Sequence, residues 1–267
     1  MLHDQCHVCG SLCSYFGKAL ILEKYDVHYF RCDSCGFIQT EEPYWLDEAY
    51  RSPIADIDIG VVKRAIDLSC IAEAVILAFF DCNARFVDYG GGYGLFVRLM
   101  RDRGFDFSSF DRYCPNIFAK AYTAAESDNP SYELATALEV FEHLPRPVDD
   151  VPRIFGFSRN VLFNTLLVPP STPRPDEWWY YATQAGQHVS FYTARSLAIL
   201  ASRAGLRVYS DGRQLHLFTE KRISPALFLA LARSAVARSA TRPLRWRLKD
   251  RSLLPRDFER LSGLRLT

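Results

Sequence analysis

The sequence predicts an α/β fold with helices on both faces of a mainly parallel sheet, and three observations carry that expectation. Residues 86–100 read as strand, tight turn and helix: an apolar run ends in Asp88, glycines stand at 90, 92 and 94, and 95–100 resume at helical spacing. Strand-like runs at 105–110 and 134–138 lead into Asp111 and Glu139, acids placed where a sheet opens toward a ligand. Ahead of this pattern, two Cys-x-x-Cys-Gly words crowd into the first 36 residues, marking a small separate lobe.

A chain of 267 residues with 49% hydrophobic and 14% aromatic residues can bury one substantial core plus an appendage. Apolar runs such as 71–80 carry Glu73 and are too short to span a bilayer, and residues 1–5 lack the parts of a signal peptide, so the expectation is a cytoplasmic protein. The net charge of +1 excludes nothing, but it is unevenly spread. Residues 221–267 hold twelve of the 32 Lys and Arg and three of the 31 Asp and Glu, which leaves this tail at +9 and the remainder at −8. The expected domains are 1–42, 43–222 and 223–267.

Eight cysteines in a cytosolic chain point to metal or catalysis before disulfides. Cys6-His7-Val8-Cys9-Gly10 and Cys32-Asp33-Ser34-Cys35-Gly36, 22 residues apart, form two knuckles that aim four thiolates at one point. Tetrahedral zinc suits Cys6, Cys9, Cys32 and Cys35, with His3, His7 and Cys13 as spare ligands and a thiol redox pair as the other reading. A closed four-sulfur site leaves no position open for chemistry, so its expected role is structural: the ion supplies folding energy to a zinc ribbon too short to build its own core.

Helical periodicity at 46–50 and 60–80 precedes the first strand of the sheet. The glycine turn then places backbone N–H groups and a helix N-terminus at a strand end, where a nucleotide-like ligand can approach the main chain. A dinucleotide fingerprint requires a small third residue at position 95, and Leu95 stands there. The pattern Asp88-x-Gly90-x-Gly92-x-Gly94 resembles the first motif of Rossmann-like S-adenosylmethionine-dependent methyltransferases. That resemblance implies a seven-stranded methyltransferase sheet and S-adenosyl-L-methionine as cofactor. Asp111, 23 residues beyond Asp88, matches the acid that accepts hydrogen bonds from the ribose hydroxyls. Asp88 is expected to position the turn and the methionine amino group. In related enzymes the preceding helices cap the cofactor, which makes Tyr50 and Arg64 candidates for its methionine end, a packing tyrosine and a surface arginine being the alternative.

Beyond the second strand, 117–125 is a helix candidate, 127–130 a turn, and no third strand precedes Tyr132. The word Glu139-Val140-Phe141-Glu142-His143 after a strand resembles the post-strand-four segment of ubiquinone-type and sugar methyltransferases. In some of those the set is tied to a divalent metal, which implicates Glu139, Glu142 and His143 as holders of Mg. The other reading has Glu142 and His143 shaping the turn and only Glu139 facing the acceptor.

Trp178-Trp179-Tyr180-Tyr181 sits in a polar, proline-rich loop and reads either as an acceptor gate or as packing. His188 precedes Ser190-Phe191-Tyr192-Thr193, which should cap a helix over 194–204. Methyl transfer is an in-line displacement that needs alignment and removal of the acceptor's proton, work suited to a histidine, and His188 is the candidate base. The 186–193 block resembles zinc-ribbon methyltransferases of sugar and polysaccharide biosynthesis, which implies a small-molecule or sugar acceptor and O-methylation. Runs at 205–209 and 215–219 fit a closing hairpin. In the tail, a capped helix from Ser224-Pro225 carries an apolar stripe and spaced arginines, fitting a membrane surface, nucleic acid, or docking on the acidic body. An RNA methyltransferase and a non-catalytic zinc-ribbon module are the competing functions, the former disfavoured because no Asn-Pro-Pro-Tyr follows strand four.

Overall fold

The computed structural model describes residues 3–51, 58–125 and 132–265. The turn expected at 127–130 lies outside the described residues. The chain divides into two compact units, one of Met1–Asp58, Glu139–Arg153 and Phe163–Glu220, the other of Ile59–Leu138, Ile154–Leu162 and Lys221–Thr267.

The first unit opens with β1 (His3–Gln5), β2 (Leu12–Ile21), β3 (Tyr25–Cys32) and β4 (Ile38–Thr40), followed by the short helix α1 (Leu46–Ala49). β2 and β3 pair antiparallel from Cys13↔Cys32 to Ile21↔Tyr25. Of the three residues between them, Leu22 and Glu23 take left-handed backbone and form the centre of a turn that Lys24 N–H closes on the Ile21 carbonyl at 3.0 Å, a geometry that matches the twist of the strands. Alternation along β2 and β3 turns one face inward. There Phe16, Ile21, Val27 and Tyr29 pack with Ile38, Trp45, Tyr181 and Phe191, and the Trp45 indole N–H donates to the Gly186 carbonyl at 2.8 Å.

The second unit begins with α2 (Val61–Phe79), β5 (Arg85–Tyr89), α3 (Leu95–Asp102), β6 (Asp106–Phe110) and β7 (Leu134–Leu138). β5 lies parallel between β6 and β7, with Asp88 opposite Ser109 on one side and Thr136 on the other. After α4 (Pro147–Phe155) come β8 (Val161–Asn164), the two-residue β9 (Ser190–Phe191), α5 (Ala194–Arg203), β10 (Arg207–Ser210) and β11 (Leu215–Thr219). β9 adds to β4, giving a five-stranded sheet of order β1-β2-β3-β4-β9. The other sheet runs β10-β11-β8-β7-β5-β6 and is mixed, because β10 and β11 pair antiparallel. This is the α/β class the sequence predicts, with two corrections. Among the described residues the sheet has six strands, and where a seventh would flank β6 there is a single parallel bridge, Ser109↔Thr123. The helix expected over 117–125 is a run of turns, in which Asn116 takes the Ala119 N–H and returns its amide to the carbonyls of Ala119 and Tyr122. Side chain to backbone bonds of this kind compete directly with helix formation.

Helix α5 starts as its sequence requires, Thr193 and Ser196 forming a reciprocal capping box. Between β10 and β11, His216 accepts from the Ser210 hydroxyl through Nδ1 and donates from Nε2 to the Thr165 carbonyl, and burial pushes its pKa down to about 4.

The tail forms α6 (Pro225–Leu231), α7 (Ser234–Thr241) and α8 (Leu254–Ser262), and some of its charges pair within its own unit. Arg238 pairs with Asp67, and Arg245 with the buried Glu73, which also holds Arg103 at 2.6 Å. Asp257 of α8 reaches Arg101 of α3 in a two-bond fork of 2.7 and 2.8 Å, and both residues are buried. Burial raises the Asp257 carboxyl, but Arg101, the Tyr122 hydroxyl and Arg98 together outweigh it, so the group ends below the usual carboxylate range. These pairs are of the kind expected of a tail that docks on acidic residues of its own unit. Among the described residues no helix is long and apolar enough to cross a membrane.

Removing one partner of a buried pair leaves an uncompensated charge. Asp257→Ala is expected to lower the unfolding free energy by about 3–5 kcal/mol in denaturant titrations. A loss within the range of a surface substitution contradicts a docked α8.

Candidate functional site

Two clusters matter, one in each unit. In the second unit, β5 ends at Asp88 and the chain turns through Gly90, Gly92 and Gly94 at φ 70°, 54° and 82°. All three lie in the left-handed region that a side chain resists, which is why glycine recurs at alternate positions. At Gly94 an added Cβ would also strike the Asn116 side chain, and at Gly91 the Ser109 hydroxyl at 2.5 Å.

The turn is fastened to the end of β6. Gly90 and Gly91 N–H donate to the Phe110 carbonyl at 2.8 and 3.2 Å, and Gly92 N–H donates to Asp111 Oδ2 at 2.9 Å. Asp111 Oδ1 accepts from the N–H groups of Tyr113 and Cys114 at 2.7 and 2.8 Å, so the carboxylate also shapes its own loop. Behind the turn, Asp88 is buried and accepts from the Thr136 hydroxyl at 2.5 Å. Burial drives its pKa up to about 7, the charge of Asp111 adds to the rise, and the Thr136 bond opposes it. Thr136 and Asn116 are site residues that the sequence reading missed. The signal for Thr136 was its place on β7 opposite Asp88, visible only once the strands are paired. Arg64 stands half-buried on the second turn of α2, in the same unit.

In the first unit, Glu139 has φ 53°, a conformation that costs a non-glycine residue energy and is held here by bonds. Its N–H donates to Asn164 Oδ1 at 2.9 Å, and the Asn164 amide returns a bond to the Glu139 carboxylate. The residues that follow form a single 3-10 turn, Phe141–His143. This buries Glu142 and brings it and His143 together with His188, their ligand atoms all within 4.8 Å of one another. The metal-capable group thus contains His188 where the sequence reading had Glu139.

His188 Nδ1 lies 2.7 Å from the Tyr180 carbonyl, and His143 Nδ1 lies 3.1 Å from the Gln187 carbonyl and 3.0 Å from the Tyr50 hydroxyl. A carbonyl only accepts, so both rings carry hydrogen on Nδ1, leaving the lone pair on Nε2. The rings meet edge to face with centroids 4.9 Å apart. Desolvation, reinforced by His188, pushes His143 down to about 3, so it is neutral at ordinary pH. Tyr50 is accordingly grouped with the histidines of its own unit. Tyr180 borders the same cluster, its centroid 4.7 Å from that of His188, and its hydroxyl is pushed well above its ordinary pKa by burial and by the charges of Glu142 and Glu139. Of the four loop aromatics, Tyr180 and Tyr181 are buried, Trp178 packs on the core and Trp179 is 77% exposed.

In the same unit, Cys6, Cys9, Cys32 and Cys35 bring their sulfurs within 4.8 Å of one another, with Cys9–Cys32 at 3.4 Å and Cys6–Cys35 at 3.6 Å. Four sulfurs at the zinc bond length stand about 3.8 Å apart in a tetrahedron, so the cluster fits such an ion. Val8 and Cys9 N–H point at Cys6 Sγ, and Cys35 N–H at Cys32 Sγ, as bonds that favour thiolate. Gly10 and Gly36 supply the left-handed turns that close the knuckles.

With both sites described, the comparisons can be placed. A family model described as a methyltransferase domain matches residues 66–211. Among solved structures, CalO1, a methyltransferase in calicheamicin biosynthesis in its SAH-bound form, is 17% identical over 65% of this chain and 60% of its own, with a TM-score of 0.43. TnmH is 22% identical over 67% and 62%, with a TM-score of 0.47. Human N-acetylserotonin methyltransferase in complex with SAM is 14% identical over 66% of each chain, with a TM-score of 0.41. The chain thus spans about three fifths of the lengths of CalO1 and TnmH. No curated protein matches the sequence.

The raised pKa of Asp88 has a sign that can be checked without ligand. A carboxyl that titrates near 7 when folded and near 4 when unfolded contributes stability at low pH that is lost as pH rises through 7. Between pH 5 and pH 8 the wild type is expected to lose more unfolding free energy than Asp88→Asn, measured by urea titration at each pH. Parallel curves for the two proteins contradict a buried, strained carboxylate.

Proposed function

The chain belongs to the methyltransferase domain family, and from that membership we propose that it transfers the methyl group of S-adenosyl-L-methionine to an oxygen of a small-molecule or glycosidic acceptor. The observation that carries the proposal is the glycine turn of the second unit, held open between two strand ends by Phe110 and Asp111. Its left-handed glycines keep the main chain bare of side chains, and α3 begins directly after it, which sets a helix N-terminus beside the turn where a ligand rich in acceptors would lie.

In this proposal Asp111 receives the ribose. A carboxylate offers about four lone-pair positions, and three backbone N–H groups already use Asp111, so one ribose hydroxyl takes the remaining position and the other competes with Gly92. Asp88, held by Thr136, fixes the turn and attracts the methionine ammonium, whose positive charge would draw the Asp88 proton off. Arg64 is the candidate partner of the methionine carboxylate. The sulfonium leaves without help, so the remaining work is to align the acceptor and remove its proton. His188 is competent for the latter, because its Nδ1–H is committed to the Tyr180 carbonyl and Nε2 bears the lone pair. Glu139, fixed by Asn164, is the second acceptor-side candidate. The four cysteines hold a structural zinc ion.

Titration calorimetry with S-adenosylhomocysteine tests the donor site. Binding is expected, and Asp111→Ala should weaken it roughly tenfold to a hundredfold, the equivalent of one charge-assisted hydrogen bond. Absent binding, or a variant that binds as tightly as wild type, overturns the assignment. For the ribbon, a strong chelator is expected to release one zinc per chain, expose four titratable thiols and lower the melting temperature.

A further inference from the structure

We infer that Glu142, His143 and His188 form a second metal site, of two imidazoles and one carboxylate, that takes a divalent transition ion such as Mn²⁺, Fe²⁺, Co²⁺ or Zn²⁺. The starting point is the 3-10 turn after Glu139. It sets the Glu142 side chain and the adjacent His143 toward the segment that carries His188, and Val189 N–H donates to the Glu142 carbonyl at 2.9 Å, which ties the two stretches together beside the cluster. The three ligand atoms lie within 4.8 Å of one another. Ligands bound at 2.0–2.2 Å stand about 3–4 Å apart around one ion, so side-chain rotations of roughly an ångström close the site.

The orientation of the rings is the second observation. Ligating histidines donate their other N–H to a carbonyl or carboxylate, which fixes the tautomer and aims the lone pair. Both rings here do this, His188 to the Tyr180 carbonyl at 2.7 Å and His143 to the Gln187 carbonyl at 3.1 Å. Their planes are nearly perpendicular, at 89°, with centroids 4.9 Å apart, and Nε2 is the nitrogen that each ring leaves for an ion. Tyr50 adds an outer contact to His143.

The donor set selects the ion. Two neutral imidazoles and one carboxylate suit borderline transition ions, whereas Mg²⁺ prefers an all-oxygen octahedron. Glu139, the oxygen that would favour Mg²⁺, is instead bonded to Asn164 through both its N–H and its carboxylate. Three protein ligands also leave coordination positions open, in contrast to the closed four-cysteine cluster. An acceptor hydroxyl in an open position loses its proton at lower pH, because the ion stabilises the alkoxide. The ion site stands on its own geometry. Only this last role rests on the methyl-transfer reading, and with an ion bound His188 is a ligand and no longer the free base.

The test uses the full chain with its cysteine cluster already loaded with zinc, and titrates it with Co²⁺ while reading visible absorption and metal content. Expected is one further equivalent of cobalt per chain, with nitrogen and oxygen ligand-field bands and no sulfur-to-cobalt charge transfer. Glu142→Gln and His188→Ala should each weaken that binding at least tenfold while zinc content and circular dichroism stay at wild-type values, and Glu139→Gln should leave it unchanged. The inference is overturned if the wild type takes up no second ion, if the cobalt spectrum is that of thiolates, or if His188→Ala titrates like wild type. Because the readout is binding without turnover, it stays separate from the calorimetric test of the donor site.

Discussion

The bond from Gly92 N–H to the Asp111 carboxylate is the constraint on which the second unit's site depends. Parallel strands end side by side, but nothing in strand pairing keeps a loop between them open. Here the turn after β5 is pinned to the end of β6 by that bond and by two more to the Phe110 carbonyl. The left-handed glycines make such a path affordable, and the carboxylate that closes it is also the residue assigned to the ligand. Behind the turn, burial holds the Asp88 carboxyl above the usual carboxylate range, so its surroundings disfavour the charged form.

Burial of charge recurs in the same unit with a different outcome. Arg101 is 1% exposed yet meets Asp257, Asp106 and the Phe107 carbonyl, with the Tyr122 ring beneath it at 3.4 Å. Four of the five N–H donors of this cation are thus bonded, and it fixes α8 of the tail to α3. Of the tail's own arginines, Arg238 and Arg245 pair with Asp67 and Glu73 of the same unit.

In the first unit, chemistry and scaffold are interleaved along the chain. The cysteine knuckles are joined to the later segments by the Thr193 hydroxyl donating to the Cys35 carbonyl at 2.6 Å and by His7 Nδ1 meeting the Pro145 carbonyl at 2.8 Å. Ser190 and Tyr192 donate to the carbonyls of Leu144 and Phe141, which brackets the turn carrying Glu142 and His143. Loss of the ribbon's order would therefore be felt by the Glu142, His143 and His188 cluster within the same unit. The loop aromatics serve mostly as packing, Tyr181 against Tyr29 and Phe191, while Tyr180 alone touches a site histidine.

By itself the sequence determined what depends on local rules. The glycines at 90, 92 and 94 announce left-handed backbone, the paired Cys-x-x-Cys-Gly words announce a four-sulfur cluster, and Thr193 announces the start of α5, because each device works through neighbours a few residues apart. Tertiary structure alone decided what depends on distant partners. Thr136 becomes a site residue because β7 sets it opposite Asp88, and β9 is two residues long because β4 rather than its own propensity makes it a strand. Asn116 holds 117–125 out of a helix through bonds that periodicity cannot reveal. The same holds for the glutamate and histidine cluster. Glu139 and His188 exchange places in the metal-capable group because a left-handed residue and one 3-10 turn rotate Glu139 toward Asn164, a rotation set by bonds to residues 25 positions away.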